Sequence, residues 1–305
     1  MTIIDAQLHE PAVAGDLDGL DRDTRYRLML EVELGYMDAV GVDKAVLFPI
    51  DDAWGIWARA QAPDRFAVVS MVTPPAVPGG IRADDPGLAE LVAQRAAAGE
   101  VVAMRAMHTL PGHLLSDRPD DGPVWTSDID MYEPLMEACL AAGLPLFMST
   151  AGALDGPAEV ARRHPDLVVI IDHLGMRQNP TFGLDTPPFR DLPSLLALAE
   201  LPNTRVKVSG VPTLSAGGYP FEDLWESLDR VIAAFGAERL MWGSDISRVM
   251  GRAGTIRLAP EGREYAKHTY AEALFYLKHT DRITDEQREW LLGRTAATVL
   301  GWGDW

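Results

Sequence analysis

The chain is 305 residues long with a net charge of −18, and that acidic balance excludes a nucleic-acid or anionic-membrane binder, since both need basic surface. A lone Cys139 excludes an internal disulfide and a cysteine metal cluster, which fits a reducing compartment. No basic and apolar leader opens the chain and no apolar run nears the ~20 residues of a bilayer span, so the expected location is the cytoplasm.

The first pattern is a strand over residues 2–9, in which a two-residue period puts Asp5, Gln7 and His9 on one side and Ile4, Ala6 and Leu8 on the other. Helical spacing of Tyr26, Met29, Val32 and Met37 follows and stops at Gly41. Strand two covers 44–49, a short helix with Trp54 and Trp57 covers 51–61, and strand three covers 66–72. The Pro/Gly-rich residues 73–80 read as a loop, 86–98 as a helix, and 101–107 as strand four, which carries Arg105. Residues 108–128, with His108, His113 and Trp125, are irregular, and a helix spans 129–142 with Cys139 in an apolar, inert setting.

Strand five, 145–150, ends in Ser149 and Thr150, and a helix covers 156–164. Strand six, 167–172, runs directly into Asp172-His173-Leu174-Gly175, and a Pro-rich loop leads to a helix at 192–200. Strand seven, 205–210, carries Lys207; the loop 211–220 and a helix at 221–235 come next. Strand eight begins at Leu240 and ends in Gly243-Ser244-Asp245, an apolar run closed by a small residue, a hydroxyl and a carboxylate. Helical patterns at 265–278 and 284–292 finish the chain before Trp302 and Trp305.

Eight short apolar strands, each followed by a helix, imply a parallel sheet covered on both faces. Eight units favour one closed α/β barrel of the (β/α)8 TIM type across residues 1–305. The longest irregular stretches follow strands, which predicts long loops on the C-terminal, catalytic face. His9, Arg105, His173 and Asp245 are then expected to open onto one cavity. Arg105 and Lys207 sit in apolar strands where an unpaired charge is costly, so each either pairs with a protein carboxylate or binds one on the substrate. Asp172 has parity opposite to His173 and is expected to point outward, orienting a neighbour or capping a loop. His108 and His113 read as solvated loop histidines, and the tryptophans as packing.

The sequence resembles the amidohydrolase superfamily, in the branch of barrel hydrolases that holds sugar-lactone and muconolactone lactonases, pyrone-dicarboxylate lactonase and several carboxylate decarboxylases. The residues that carry the resemblance are Ile4-Asp5-Ala6-Gln7-Leu8-His9, Ile171-Asp172-His173-Leu174-Gly175, Val206-Lys207-Val208-Ser209-Gly210 and the run from Phe235 to Asp245, in that order. Two departures stand out. The family usually has two histidines one residue apart on strand one, where this chain has Gln7 and His9; metal-binding relatives often have a histidine at the end of strand five, where this chain has Ser149. The resemblance implies catalysis by Asp245 with His173 and His9, and Arg105, Lys207, Gln7 and Ser149 are expected around the substrate.

A catalytic zinc site takes three protein ligands plus water, and an amide in place of an imidazole makes a poor one. No metal is therefore preferred, the alternative being one zinc or manganese ion held by His9, Asp245 and His173. The leading expectation is a lactonase-like hydrolase of a cyclic ester or amide bearing a carboxylate, with Asp245 as general base and the histidines polarising the carbonyl. Non-oxidative decarboxylation or hydration of an unsaturated or aromatic acid is the second, and an inactive barrel that binds a ligand is the third. The expected partner is a small-molecule substrate; homo-oligomerisation is compatible with the sequence and not specified by it.

Overall fold

A computed structural model of the protein describes residues 1–11, 19–77, 80–110, 125–178, 187–246 and 268–302. Eight parallel strands follow one another around a nearly closed barrel: β1 (Ile4–Leu8), β2 (Lys44–Leu47), β3 (Phe66–Thr73), β4 (Ala103–Ala106), β5 (Leu146–Met148), β6 (Val169–Ile171), β7 (Thr204–Ser209) and β8 (Leu240–Gly243). Each strand pairs with its sequence neighbour, as when Val206 faces Leu240 and Ser209 faces Gly243 between β7 and β8. The seam between β8 and β1 is bridged differently. Asp245 N donates to Gln7 O at 3.0 Å, and Ser244 N donates to Asp5 Oδ1 at 2.8 Å.

Helices alternate with the strands: α1 (Arg22–Val40), α2 (Asp52–Gln61), α3 (Leu88–Ala97), α4 (Glu133–Ala142), α5 (Asp155–Arg163), α6 (Leu192–Ala197) and α7 (Trp225–Phe235). Their ends are encoded locally. Asp21 caps α1 by accepting from Thr24 N, and Gly41, at φ 78°, takes the left-handed conformation that ends it. After β8 come α8 (Tyr270–Lys278) and α9 (Asp285–Glu289), each opened by a capping box, Thr269 with Glu272 and Thr284 with Gln287. The helix expected at 284–292 instead passes from α9 through a π-helical turn, Trp290–Arg294, into α10 (Thr295–Val299). That extra helix has a structural use: Ala296, Ala297 and Leu300 pack with Ile4, Val46, Ile170 and Met241 in one core cluster, apart from the larger core of the barrel's outer side and the helix layer.

Short strands form at two places where none is expected, one just past the loop at 73–80 and one within the stretch 108–128 that reads as irregular. Ile81–Arg82 pairs with β3, and Thr109–Leu110 pairs antiparallel with Trp125–Thr126. Most of the predicted loops at 108–128 and 246–264, with His113 among them, lie outside the described residues, as does Trp305. Trp54 is fully buried, and Trp57 packs on Tyr26 with ring centroids 5.5 Å apart, as expected of packing side chains. Cys139 is buried too, and burial pushes its thiol up to about 12, which makes it inert. Among the described residues no helix is long and apolar enough to cross a membrane.

Candidate active site

The C-terminal ends of β1, β6, β7 and β8 bring His9, His173, Ser209 and Asp245 together. His9 Nε2 lies 3.4 Å from Asp245 Oδ1, and His173 Nδ1 lies 3.9 Å from Asp245 Oδ2, so each carboxylate oxygen has an imidazole beside it. Asp245 is fully buried while the two histidine side chains keep 12% and 11% of their surface, which leaves the imidazoles as the open face of the cluster. His173 Nδ1 also shares a 2.8 Å hydrogen bond with Ser209 Oγ. Ser209 was not singled out from the sequence, though a signal was present. Lys207 and Ser209 are two apart in one strand and so face the same way.

Backbone strain gathers at these strand ends. His173 (φ 52°), Leu174 (φ 57°) and Asp245 (φ 56°) are non-glycine residues in the left-handed region, a conformation that costs about 1–2 kcal/mol each and persists only where its surroundings enforce it. It decides which side chains reach the site. Asp172 keeps the parity of Ile170 in β6 and points into the barrel, and the left-handed turn then swings His173 to the same side. The expectation that Asp172 points outward is corrected here.

Strand β1 departs from its expected alternation for a related reason. Its register against β2 shifts between Asp5 and Leu8, so the strict two-residue period fails there. Asp5 turns to the helix layer, where its Oδ2 accepts from Tyr270 OH of α8 at 2.8 Å and its Oδ1 accepts from Gln7 N at 3.0 Å and Ser244 N at 2.8 Å. Burial pushes Asp5 up to about 6, against the pull of those hydrogen bonds. Gln7 and His9 face the site instead. Gly243 permits the close approach: a Cβ there would lie 2.8 Å from Gln7 Cβ and 3.0 Å from Gln7 N.

Beneath the cluster lies a buried charged layer. Asp172 Oδ2 accepts from Arg105 Nε at 2.6 Å, and Asp172 Oδ1 is 2.6 Å from Lys207 Nζ. Both cations also lie on aromatic faces, Lys207 Nζ 3.8 Å from the Phe48 centroid and Arg105 Cζ 5.3 Å from it. Burial pulls Lys207 down to about 7, Asp172 opposes this, and the Arg105 charge adds to it. Lys207 Nζ donates in addition to Gln7 Oε1, whose amide nitrogen meets His9 Nε2 at 2.9 Å. Of the two answers open for Arg105 and Lys207, pairing with a protein carboxylate is the one seen.

Ser149 follows β5 directly and is buried, with its carbonyl accepting from Thr109 N at 2.9 Å and Thr109 Oγ1 at 3.1 Å. His108 is not solvated: it is 3% exposed, its Nδ1 lies 3.1 Å from Ser127 Oγ, and that hydroxyl donates to His108 O. Burial pulls it down to about 4. The reason for the correction is the pairing of Thr109–Leu110 with Trp125–Thr126, which sets Ser127 against His108.

The amidohydrolase family profile matches residues 4–302. The chain belongs to the amidohydrolase family. This amidohydrolase is 34% identical over 151 residues to the L-fucono-1,5-lactonase of Burkholderia ambifaria, a match covering 46% of this chain and 47% of that one, so it spans about half the length of that relative. Its fold is similar to that of a Pseudomonas putida protein assigned as a 2-pyrone-4,6-dicarboxylic acid hydrolase, with TM-score 0.64, 24% identity and coverage of 100% and 99% of the two chains. A Burkholderia multivorans amidohydrolase with bound zinc superposes with TM-score 0.67 at 18% identity, covering 99% of this chain and 100% of that one. Manganese is bound in a dihydroxybenzoic acid decarboxylase of the same fold. The chain is thus an enzyme of the amidohydrolase superfamily, and structures of this fold hold zinc or manganese.

Two of the side chains at the expected metal-binding positions are already engaged by other groups. Both nitrogens of His9 are engaged, Nδ1 by Phe48 O at 2.6 Å and Nε2 by the Gln7 amide, and both ends of Gln7 are engaged, by Lys207 and His9. Among the described residues no three His, Cys, Asp or Glu side chains gather as a group able to hold a metal ion.

Proposed function

We propose that this amidohydrolase opens a small cyclic ester, with Asp245 as the general base and no resident metal ion. The observation that carries the reading is the Asp245 carboxylate set between His9 and His173 at the barrel mouth, 3.4 Å and 3.9 Å from their nearest nitrogens. A water against Asp245 Oδ1, beside the His9 ring, would donate to that carboxylate oxygen. As its oxygen bonds to the ester carbonyl carbon, its proton passes to Asp245, and the carbonyl oxygen gathers negative charge beside His173. Collapse of that intermediate breaks the ring carbon–oxygen bond. Asp245 then returns its proton to the departing ring oxygen, which leaves a hydroxy acid and a carboxylate ready for the next water.

Support for a lactone comes from the identity shared with the fuconolactonase. Within this reading Arg105 and Lys207 hold Asp172 and Gln7 in place, while Ser149 borders the substrate. The test is a panel of sugar 1,5-lactones, muconolactones and pyrone carboxylates set beside dihydroxybenzoates. Acid release from at least one lactone is expected; carbon dioxide release from an aromatic acid, with every lactone left intact, would overturn the assignment.

A further inference from the structure

The side chain of Gln7 has two ends that are alike in shape and opposite in hydrogen-bonding sense, so its neighbours decide which way it faces. At one end lies Lys207 Nζ, which donates to Gln7 Oε1 and, kept as an ammonium by the Asp172 carboxylate 2.6 Å away, has nothing with which to accept. Only the amide oxygen fits there, and the NH2 group must therefore face His9 Nε2, 2.9 Å away. The other nitrogen of His9 agrees. Its Nδ1 is 2.6 Å from Phe48 O, a carbonyl that can only accept, so Nδ1 carries the proton and Nε2 presents a lone pair. Three hydrogen bonds thus run in one direction, from Lys207 to Gln7, from Gln7 to His9, and from His9 to the backbone of Phe48.

We propose that Lys207 is a positioning residue that works through Gln7: by fixing which end of the amide faces His9, it obliges His9 Nε2 to accept a hydrogen bond and keeps that nitrogen from donating to Asp245. The consequence for Asp245 rests on its reading as the general base. Were the amide reversed, Nε2 would have to carry a proton for the amide oxygen, and the resulting imidazolium would place a positive charge 3.4 Å from Asp245 Oδ1, making that oxygen a weaker base toward water. Lys207 is itself held by Asp172, and Asp172 by Arg105, which gives the buried charged layer a purpose: it sets the direction of a hydrogen-bond chain that ends beside the catalytic carboxylate. Among the described residues, the charged groups that face this chain include Asp172, Arg105 and Asp5 near Lys207, and Asp245 at His9.

The test is nitrogen NMR of the full chain labelled with 15N-histidine, the His9 signals being found by their loss in His9→Gln. In the parent, Nδ1 is expected to be protonated and Nε2 to be a bare, hydrogen-bonded nitrogen; a protonated Nε2 would overturn the proposal at once. Lys207→Met is expected to shift the Nε2 signal through Gln7, whose amide oxygen loses the donor that fixes it. An unchanged signal in the folded variant would overturn it. Should that variant fail to fold, Gln7→Glu keeps the length of the side chain and its bond from Lys207 but turns only acceptors toward His9, so Nε2 should become protonated; a bare Nε2 there would overturn it equally. None of these signals requires turnover, so a chain with them and no lactone activity would reject the proposed reaction and leave this inference standing.

Discussion

Asp172 Oδ1 lies 2.6 Å from Lys207 Nζ, and neither side chain reaches solvent. A buried ion pair of this kind is costly to break from one side, because the remaining charge keeps its desolvation penalty and loses its partner. Here two cations depend on the one carboxylate. Asp172→Asn is expected to destabilise the fold by about 3–5 kcal/mol, read as a lowered urea midpoint with an unchanged slope. A midpoint within error of the parent would show that the pair is not holding the layer together.

Arg105 gives up its Nε to Asp172, with its Nη1 3.5 Å from Met71 Sδ. On that geometry Arg105→Met should reduce turnover of a carboxylate-bearing lactone and of its neutral analogue by the same factor. A loss confined to the charged substrate would mean that the guanidinium reaches it.

Much of this was legible in the sequence. The eight strands and the meeting of His9, His173 and Asp245 follow from apolar runs that end in polar residues, and the ordered motifs carry the family resemblance. What escaped depends on breaks in those patterns. The register shift in β1 sends Asp5 outward and Gln7 inward, and the left-handed backbone at His173 lets two adjacent residues, Asp172 and His173, serve one side. Strict alternation forbids both. The Gln7 amide read as a degraded metal ligand from the sequence, since its partner Lys207 is 200 residues away.

Asp5 supplies a prediction about pH. Burial raises it from an ordinary aspartate's 3.8 to about 6 in the folded chain. Between those values the folded state binds more protons than the unfolded one, so this group's contribution to stability is present at low pH and is lost as pH rises through the window. Asp5→Asn should flatten the fall in stability between pH 4 and 6, measured by denaturant unfolding at a series of pH values; a slope identical to the parent's would contradict it.

At the seam, Gly243 leaves no room for a Cβ against Gln7 Cβ and N, and the second of these is backbone. Gly243→Ala must push β1 away from β8 and is expected to cost about 1–3 kcal/mol. Because the same two strand ends carry His9 and Asp245, turnover should fall by more than the change in stability explains. Full activity in this variant would mean that the spacing of the seam does not set the site.

The most direct test of the account is turnover of the substrate lactone before and after prolonged dialysis against a strong chelator, with Asp245→Asn measured alongside. Since Asp245 is read as the base and the donors around it are engaged by Gln7, Phe48 and Ser209, activity is expected to survive chelation, and Asp245→Asn to lose on the order of a hundredfold or more in kcat. Activity abolished by the chelator and restored by zinc or manganese would contradict it, and would make His9 and Asp245 ligands instead.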